Sequence, residues 1–183
     1  MIQRIPTKLR GLVRIAPEVH RDERGFFVET YRRDELTGFG LEEEFLQDNH
    51  ARSGRGALRG LHFQIGTGQG KLVRAARGRV LDVVVDIRRS SPTFGHHEAV
   101  ELDDIGHHQL YVPVGFAHGY LVLSDVADVC YRVTSYYDPA AERGITWNDP
   151  RLGIEWPIAD PMMSPRDRGL PSLSDVEGEL PDW

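Results

Sequence analysis

The hexapeptide Arg59-Gly60-Leu61-His62-Phe63-Gln64 sets a guanidinium and an imidazole on a short apolar segment, with a Gly-rich turn behind it. The chemistry open to such a pair is proton transfer by the imidazole and anion capture by the guanidinium. A histidine in a strand can equally be a core residue satisfied by a backbone carbonyl. The elements around it, and the polar residues they carry, must decide between these two readings.

Those elements read as short strands. Gly11 to Ala16 and Phe26 to Tyr31 are β-rich runs separated by the turn residues Asp22-Glu23-Arg24-Gly25, and they are expected to pair. Arg33 to Thr37 is expected to make about one helical turn with Asp34 as its N-cap, stopped by Gly38 and Gly40. Glu44 to Asn49 reads as a strand ending in the polar cluster Gln47, Asp48 and Asn49, either a turn cap or a ligand-facing rim. Lys71 to Ala76 and Arg79 to Ile87 follow, joined by Gly78. In the second, Leu81, Val83, Val85 and Ile87 alternate with Val80, Asp82, Val84 and Asp86, a period of two that excludes a helix. Glu98 to Leu102, Gln109 to Val112, Ala117 to Leu123 and Val126 to Thr134 complete a set of short strands of the kind that builds a sandwich or barrel. Arg88 and Arg89 read as a solvated edge. The stretch from Tyr137 onward, rich in Pro, Asp and Trp, is expected to wrap the barrel as irregular structure with a short helix, its last ten residues mobile.

Composition narrows the function. The 183 residues carry a net charge of -6 with both signs interspersed, and no Lys/Arg run tracks a phosphate backbone, so nucleic acid is not an expected partner. One domain spanning residues 1–183 is expected, since no composition break divides the chain. The N-terminus lacks an apolar leader and no segment approaches a membrane span, which points to the cytoplasm and no membrane partner. The lone cysteine, Cys130, excludes an internal disulfide and reads as a small core residue. Ile65-Gly66-Thr67-Gly68-Gln69-Gly70 lacks the Gly-Lys-Ser/Thr that a phosphate-binding loop requires.

Pro113-Val114-Gly115-Phe116-Ala117-His118-Gly119 resembles the second signature segment of cupin barrels. Metal-binding cupins pair it with His-x-His and a Glu, whereas the matching segment here reads His62-Phe63-Gln64. With only His62 and His118 available, and with His96-His97 and His107-His108 pointing to opposite faces if they lie on strands, no metal is expected. Ionisable groups inside a barrel without a metal suit acid and base catalysis.

Asp22-Glu23-Arg24-Gly25-Phe26-Phe27, Gln47-Asp48-Asn49-His50, Leu58 through Gln64, Gln69-Gly70-Lys71-Leu72-Val73, Asp82-Val83-Val84-Val85-Asp86, Ser91-Pro92-Thr93-Phe94-Gly95, Gly115-Phe116-Ala117-His118-Gly119 and Tyr136-Tyr137-Asp138-Pro139 together resemble the dTDP-4-dehydrorhamnose 3,5-epimerase family, from about Arg10 to Asp167. The resemblance implies an all-β, cupin-type jelly roll with few short helices. It implies no cofactor, a homodimer, and action on a dTDP-4-keto-6-deoxyhexose, inverting carbons 3 and 5 or carbon 3 alone. Relatives on the same fold act as 3,4-ketoisomerases, and a non-catalytic cupin that binds a nucleotide sugar is the alternative from outside enzymology.

A ketone at carbon 4 acidifies the hydrogens on carbons 3 and 5, so inversion needs a base on one face, an acid on the other and a cation beside the enolate oxygen. By resemblance, His62 is the base, Asp167 the carboxylate that orients it, Tyr131 the acid and Lys71 the cation. Read without the family, Tyr131 is a barrel aromatic, Lys71 an edge lysine and Asp167 a helix cap. Arg24, Glu29, Gln47, Asn49, Arg59, His118, Glu142 and Arg166 match positions that hold the nucleotide and sugar, with the three arginines suited to a diphosphate. Phe26 matches a stacking surface for thymine, and Tyr137 a position near the carbon 4 oxygen. The loop Ile65-Gly66-Thr67-Gly68 departs from the family, which commonly has prolines there, and this bears on which carbons are reached.

Overall fold

Alternating apolar side chains run through the middle of the chain, and in the computed structural model, which describes residues 2–183, they become strands of two facing sheets. In chain order the strands are β1 (Gln3–Ile5), β2 (Val13–Ala16), β3 (Val19–Asp22), β4 (Gly25–Val28), β5 (Gln47–Gly54), β6 (Leu58–Gln64), β7 (Lys71–Arg77), β8 (Arg79–Asp86), β9 (His97–Asp103), β10 (Gln109–Val112), β11 (Phe116–Val122), β12 (Val126–Val133) and β13 (Glu142–Gly144). The helices are short: α1 (Arg33–Thr37), α2 (Pro165–Arg168) and α3 (Leu173–Val176). One sheet has the order β1-β2-β10-β7-β12-β5 and the other β13-β6-β11-β8-β9, while β3 and β4 form a separate two-stranded ribbon. This is an all-β jelly roll, as the resemblance implies.

The core between the sheets takes Val73, Ala75, Leu110, Val112 and Val129 from the first sheet and Val80, Val84, Phe116, Tyr120 and Val122 from the second. Each such side chain contributes ~1.5–3 kcal/mol on burial. The alternation of β8 is bidirectional: Val80 and Val84 face this core, whereas Val83, Val85 and Ile87 face a second cluster under the C-terminal wrap. The five-stranded sheet is thus apolar on both sides.

At the centre of that sheet β6 and β11 come unusually close. A Cβ on Gly60 would lie 2.6 Å from Gly119 Cα, and one on Gly119 would lie 2.6 Å from the Arg59 carbonyl oxygen. Only glycine fits at either position. The ladder there sets His62 directly opposite His118 and shifts register before Tyr120.

Several expectations are corrected. β2 pairs with β1 and β10, and the partner of β4 is β3, because the Asp22–Gly25 turn, with Gly25 at φ +126°, folds the chain back on its immediate neighbours. The N-cap of α1 is Arg32; Asp34 lies inside the first turn and pairs with the Arg32 guanidinium. The strand expected over Glu44 to Asn49 starts at Gln47 and continues to Gly54, so its polar cluster opens the strand instead of ending it. Arg88 is not a solvated edge: it clamps the fully buried Asp86 and lies 4.4 Å over the Phe116 ring. Cys130 is only half-buried. The last residues are docked, with Val176 and Leu180 buried against the outer cluster. Among the described residues, no helix is long and apolar enough to cross a membrane.

Candidate active site

The mouth of the barrel holds a cleft of about 800 Å³, and its walls collect residues from both sheets and from α2. β6 supplies Arg59, His62 and Gln64, and β11 supplies His118 and Tyr120. From the opposite sheet come Gln47, Asn49 and Ser53 on β5, Lys71 on β7 and Tyr131 on β12. The C-terminal wrap adds Tyr137, Glu142, Arg166 and Asp167.

His62 and Asp167 form a dyad. His62 Nε2 lies 2.9 Å from Asp167 Oδ1, and the Gly60 N–H points to Asp167 Oδ2 at 3.4 Å. Asp167 is held by its own helix end: Ser164 caps α2 by accepting from the Asp167 N–H, with Pro165 at the first helical position. Burial pushes the Asp167 carboxyl up, but hydrogen bonds and charge from His62, the Gly60 N–H and Ser164 together leave it below the usual carboxylate value. It is therefore an anion facing the imidazole at neutral pH, the state that favours a protonated His62 after proton abstraction.

Lys71 opens β7 and is buried inside the barrel, its Nζ donating to the Gln69 carbonyl at 3.3 Å. Burial brings its pKa down to about 8, partly opposed by the charge of Glu142. Its cation is thus present at neutral pH and lost as pH rises through 8. Tyr131 is half-buried; burial, with a smaller push from Glu142 against the pull of Arg59, raises its phenol above the ordinary value, so it stays protonated at neutral pH. His118 is nearly enclosed, its Nε2 2.8 Å from Oδ2 of the fully buried Asp82.

A polar girdle runs around the mouth. Gln47 donates to Asn49 Oδ1 at 2.8 Å and accepts from the Tyr137 N–H. Glu142 Oε2 takes both the Tyr137 hydroxyl and the Arg166 guanidinium at 2.6 Å. Arg59 Nε donates to Ser53 Oγ at 3.1 Å. Arg59 and Arg166 are both exposed there, two cations suited to an anion entering from solvent.

The cleft therefore brings together His62, Lys71, Tyr131 and Asp167 with Gln47, Asn49, Arg59, His118, Tyr137, Glu142 and Arg166. It does not include Arg24, Phe26 or Glu29. Arg24 pairs with Asp22 at the tip of the β3–β4 ribbon, Phe26 packs on His107 with ring centroids 4.4 Å apart, and Glu29 lines a separate small crevice beside α1. Ser53, Asp82, Gln69, Tyr120 and Ser164 are additions that sequence reasoning missed. A polar Asp82 inside an apolar strand, and Tyr120 two residues after His118 on the same face, are signals that were present. Among the described residues, no three His, Cys, Asp or Glu side chains converge as a ligand set for a metal.

Comparison with known proteins supplies the family. The sequence pattern of the dTDP-4-dehydrorhamnose 3,5-epimerase family matches residues 6–175. A dTDP-4-dehydrorhamnose 3,5-epimerase of Methanothermobacter thermautotrophicus is 46% identical over 92% of this chain and 93% of its own. A dTDP-4-dehydrorhamnose 3-epimerase of Streptomyces niveus is 40% identical over 97% and 88%. The crystal structure of a Legionella pneumophila dTDP-6-deoxy-D-glucose-3,5-epimerase in complex with dTDP-4-keto-L-rhamnose superposes with a TM-score of 0.96 at 42% identity, covering 100% of this chain and 99% of that one. With a cupin-type jelly roll, a His–Asp dyad in its mouth and a match over nearly its whole length, this chain belongs to the dTDP-4-dehydrorhamnose 3,5-epimerase family.

Proposed function

We propose that this protein epimerises a dTDP-4-keto-6-deoxyhexose by metal-free general acid/base catalysis, acting in the cytoplasm as a homodimer. The observation that carries the reading is that the His62–Asp167 dyad and the Tyr131–Lys71 pair approach one cleft from opposite sheets. A flat enolate held between them meets a base on one face and an acid on the other. His62 removes the hydrogen next to the ketone, Lys71 steadies the oxygen as it becomes negative, and Tyr131 returns a proton from the opposite side. Arg59 and Arg166 hold the diphosphate, and Gln47, Asn49, His118, Tyr137 and Glu142 the nucleoside and sugar.

Inversion at both carbons is the main reading. Inversion at carbon 3 alone is the second, favoured by the 40% identity to the Streptomyces niveus 3-epimerase. Incubation with dTDP-4-keto-6-deoxyglucose in deuterated water separates them: label at carbons 3 and 5 identifies a 3,5-epimerase, and label at carbon 3 alone a 3-epimerase. A ketone displaced to carbon 3 identifies a ketoisomerase, and an unchanged sugar sinks the enzymatic reading.

Asp167→Asn keeps the shape of the dyad and removes its charge. Its epimerisation rate is expected to fall, but by less than the ~10²–10⁴ of a lost general base, because the imidazole is still in place. Steady-state rates of this variant beside His62→Ala give the comparison. The linkage sign is that of a depressed carboxyl: the stability Asp167 contributes is complete above the ordinary carboxylate pKa and fades as pH falls through its lowered native value.

Full activity is expected to survive prolonged chelation, with elemental analysis finding no stoichiometric metal. Loss that a divalent ion restores overturns the metal-free reading.

The β3–β4 ribbon supports the dimer. It joins neither sheet, and it exposes Phe26 and Phe27 at 53% and 69%. Arg24, Phe26 and Glu29, remote from the cleft of their own chain, are proposed to complete the neighbour's. A solution mass of two chains is expected, and a monomer with intact activity refutes this.

A further inference from the structure

Tyr120 lines the same cleft as the dyad and Tyr131, yet the proposed reaction leaves it unused. The residue is only 4% exposed, and its hydroxyl is buried with no hydrogen-bond partner among the described residues. Polar neighbours surround it. On β11 it stands in register with Arg59 of β6 on one side and Asp82 of β8 on the other. Arg59, Tyr131 and Asp82 lie near enough for their charges to act on it, and the Ser53 hydroxyl is its nearest hydrogen-bonding neighbour. Each is engaged elsewhere or out of line: Ser53 Oγ accepts from Arg59 Nε, and its approach to the Tyr120 hydroxyl lacks hydrogen-bond geometry. Asp82 Oδ2 is taken by His118, and the hydroxyl does not pair with Asp82 Oδ1 even though that oxygen is itself buried and unpaired. Tyr131 packs against the core cluster to which Tyr120 belongs.

A buried hydroxyl without a partner costs stability, and phenylalanine fills the same volume without that cost. A site that keeps such a group gains something from it during the reaction. We propose that Tyr120 is a positioning residue for Tyr131, its free hydroxyl donating a hydrogen bond to the Tyr131 oxygen as that oxygen gives up its proton. The step balances. The Tyr131 O–H bond breaks as the carbon–hydrogen bond forms, the enolate charge passes to the Tyr131 phenolate, and Tyr120 keeps its own proton throughout. Solvent then reprotonates Tyr131 and accepts the proton held by His62. In so enclosed a site a phenolate is costly, and the unpaired hydroxyl is the donor that offsets the cost. The inference deepens the proposed function and rests on the acid role of Tyr131.

The test compares Tyr120→Phe and Tyr131→Phe with the unmodified enzyme in deuterated water, measuring solvent exchange at the sugar, inversion, KM and thermal midpoint. For Tyr120→Phe, inversion is expected to slow about ten- to hundredfold, the range for a hydrogen bond to a charged group. Exchange initiated by His62 and KM should stay near those of the unmodified enzyme, with the thermal midpoint equal or higher. Inversion at the unmodified rate overturns the inference. So does a parallel fall of inversion and exchange with a lowered midpoint, which marks a structural residue. If Tyr131→Phe inverts at the full rate, the acid assignment itself has failed, and this inference with it.

Discussion

His62→Ala is expected to abolish turnover and, with it, the appearance of solvent deuterium in the sugar. No carbanion forms without a base, so inversion and exchange disappear together, by ~10²–10⁴ in rate. The geometry makes His62 hard to replace. Its imidazole is partly open to the cleft, with 27% of the side chain exposed, and it is backed by the nearly buried Asp167. His118, the strand neighbour, is committed to Asp82 and almost fully enclosed. Lys71, with a pKa of about 8, is the side chain best placed to stand in as a base, but only where it is neutral. Comparing pH 7 with pH 6 tests that route, because any exchange that comes from neutral Lys71 falls with it at the lower pH. Exchange retained by His62→Ala and undiminished between pH 7 and pH 6 would falsify the assignment.

Tyr131→Phe separates the two halves of the reaction. The dyad is untouched, so deprotonation continues and His62 can return a solvent-derived deuteron to the face it came from. Inversion is expected to fall by ~10²–10⁴ while exchange with retention of configuration persists. The phenol suits the acid role because burial first, and Glu142 second, keep it protonated at working pH against the opposing charge of Arg59. Mass spectrometry for deuterium content and NMR for configuration read the two outcomes on one sample. If exchange disappears as completely as in His62→Ala, a single group is serving both faces and the two-sided arrangement is wrong.

Much of the barrel was legible because its strands carry the period of a sheet facing an apolar core. Gln109–Val112 was bounded to the residue, and β12 to within one. Legibility failed where burial does not impose that pattern. Val19–Asp22 has little buried surface, so nothing in its sequence marks it as the partner of Gly25–Val28. Glu142–Gly144 is three residues long, and it is a strand only because β6 offers an edge. The site was harder than the fold. His62 and Asp167 are 105 residues apart, and no local spacing pairs them, so the dyad came from family resemblance and not from pattern. Arg24, Phe26 and Glu29 came by the same route, and a single chain does not bring them to the cleft. Tyr120 was missed although alternation from His118 puts it on the same face.

The small helix that delivers Asp167 makes the site depend on a segment far along the chain from the walls it completes. Every strand that walls the cleft precedes it along the chain, and the segment leading to it is tied back through Gly56 and Leu58 to Met162 and sealed by Leu173, Val176 and Leu180. A chain clipped by a protease ahead of Ser164 loses Arg166 and Asp167 from the cleft, and with Leu173, Val176 and Leu180 it loses the cover of the outer cluster. Loss of turnover on such clipping, followed beside loss of the docked fragment, is therefore the expected sign that this segment completes the site.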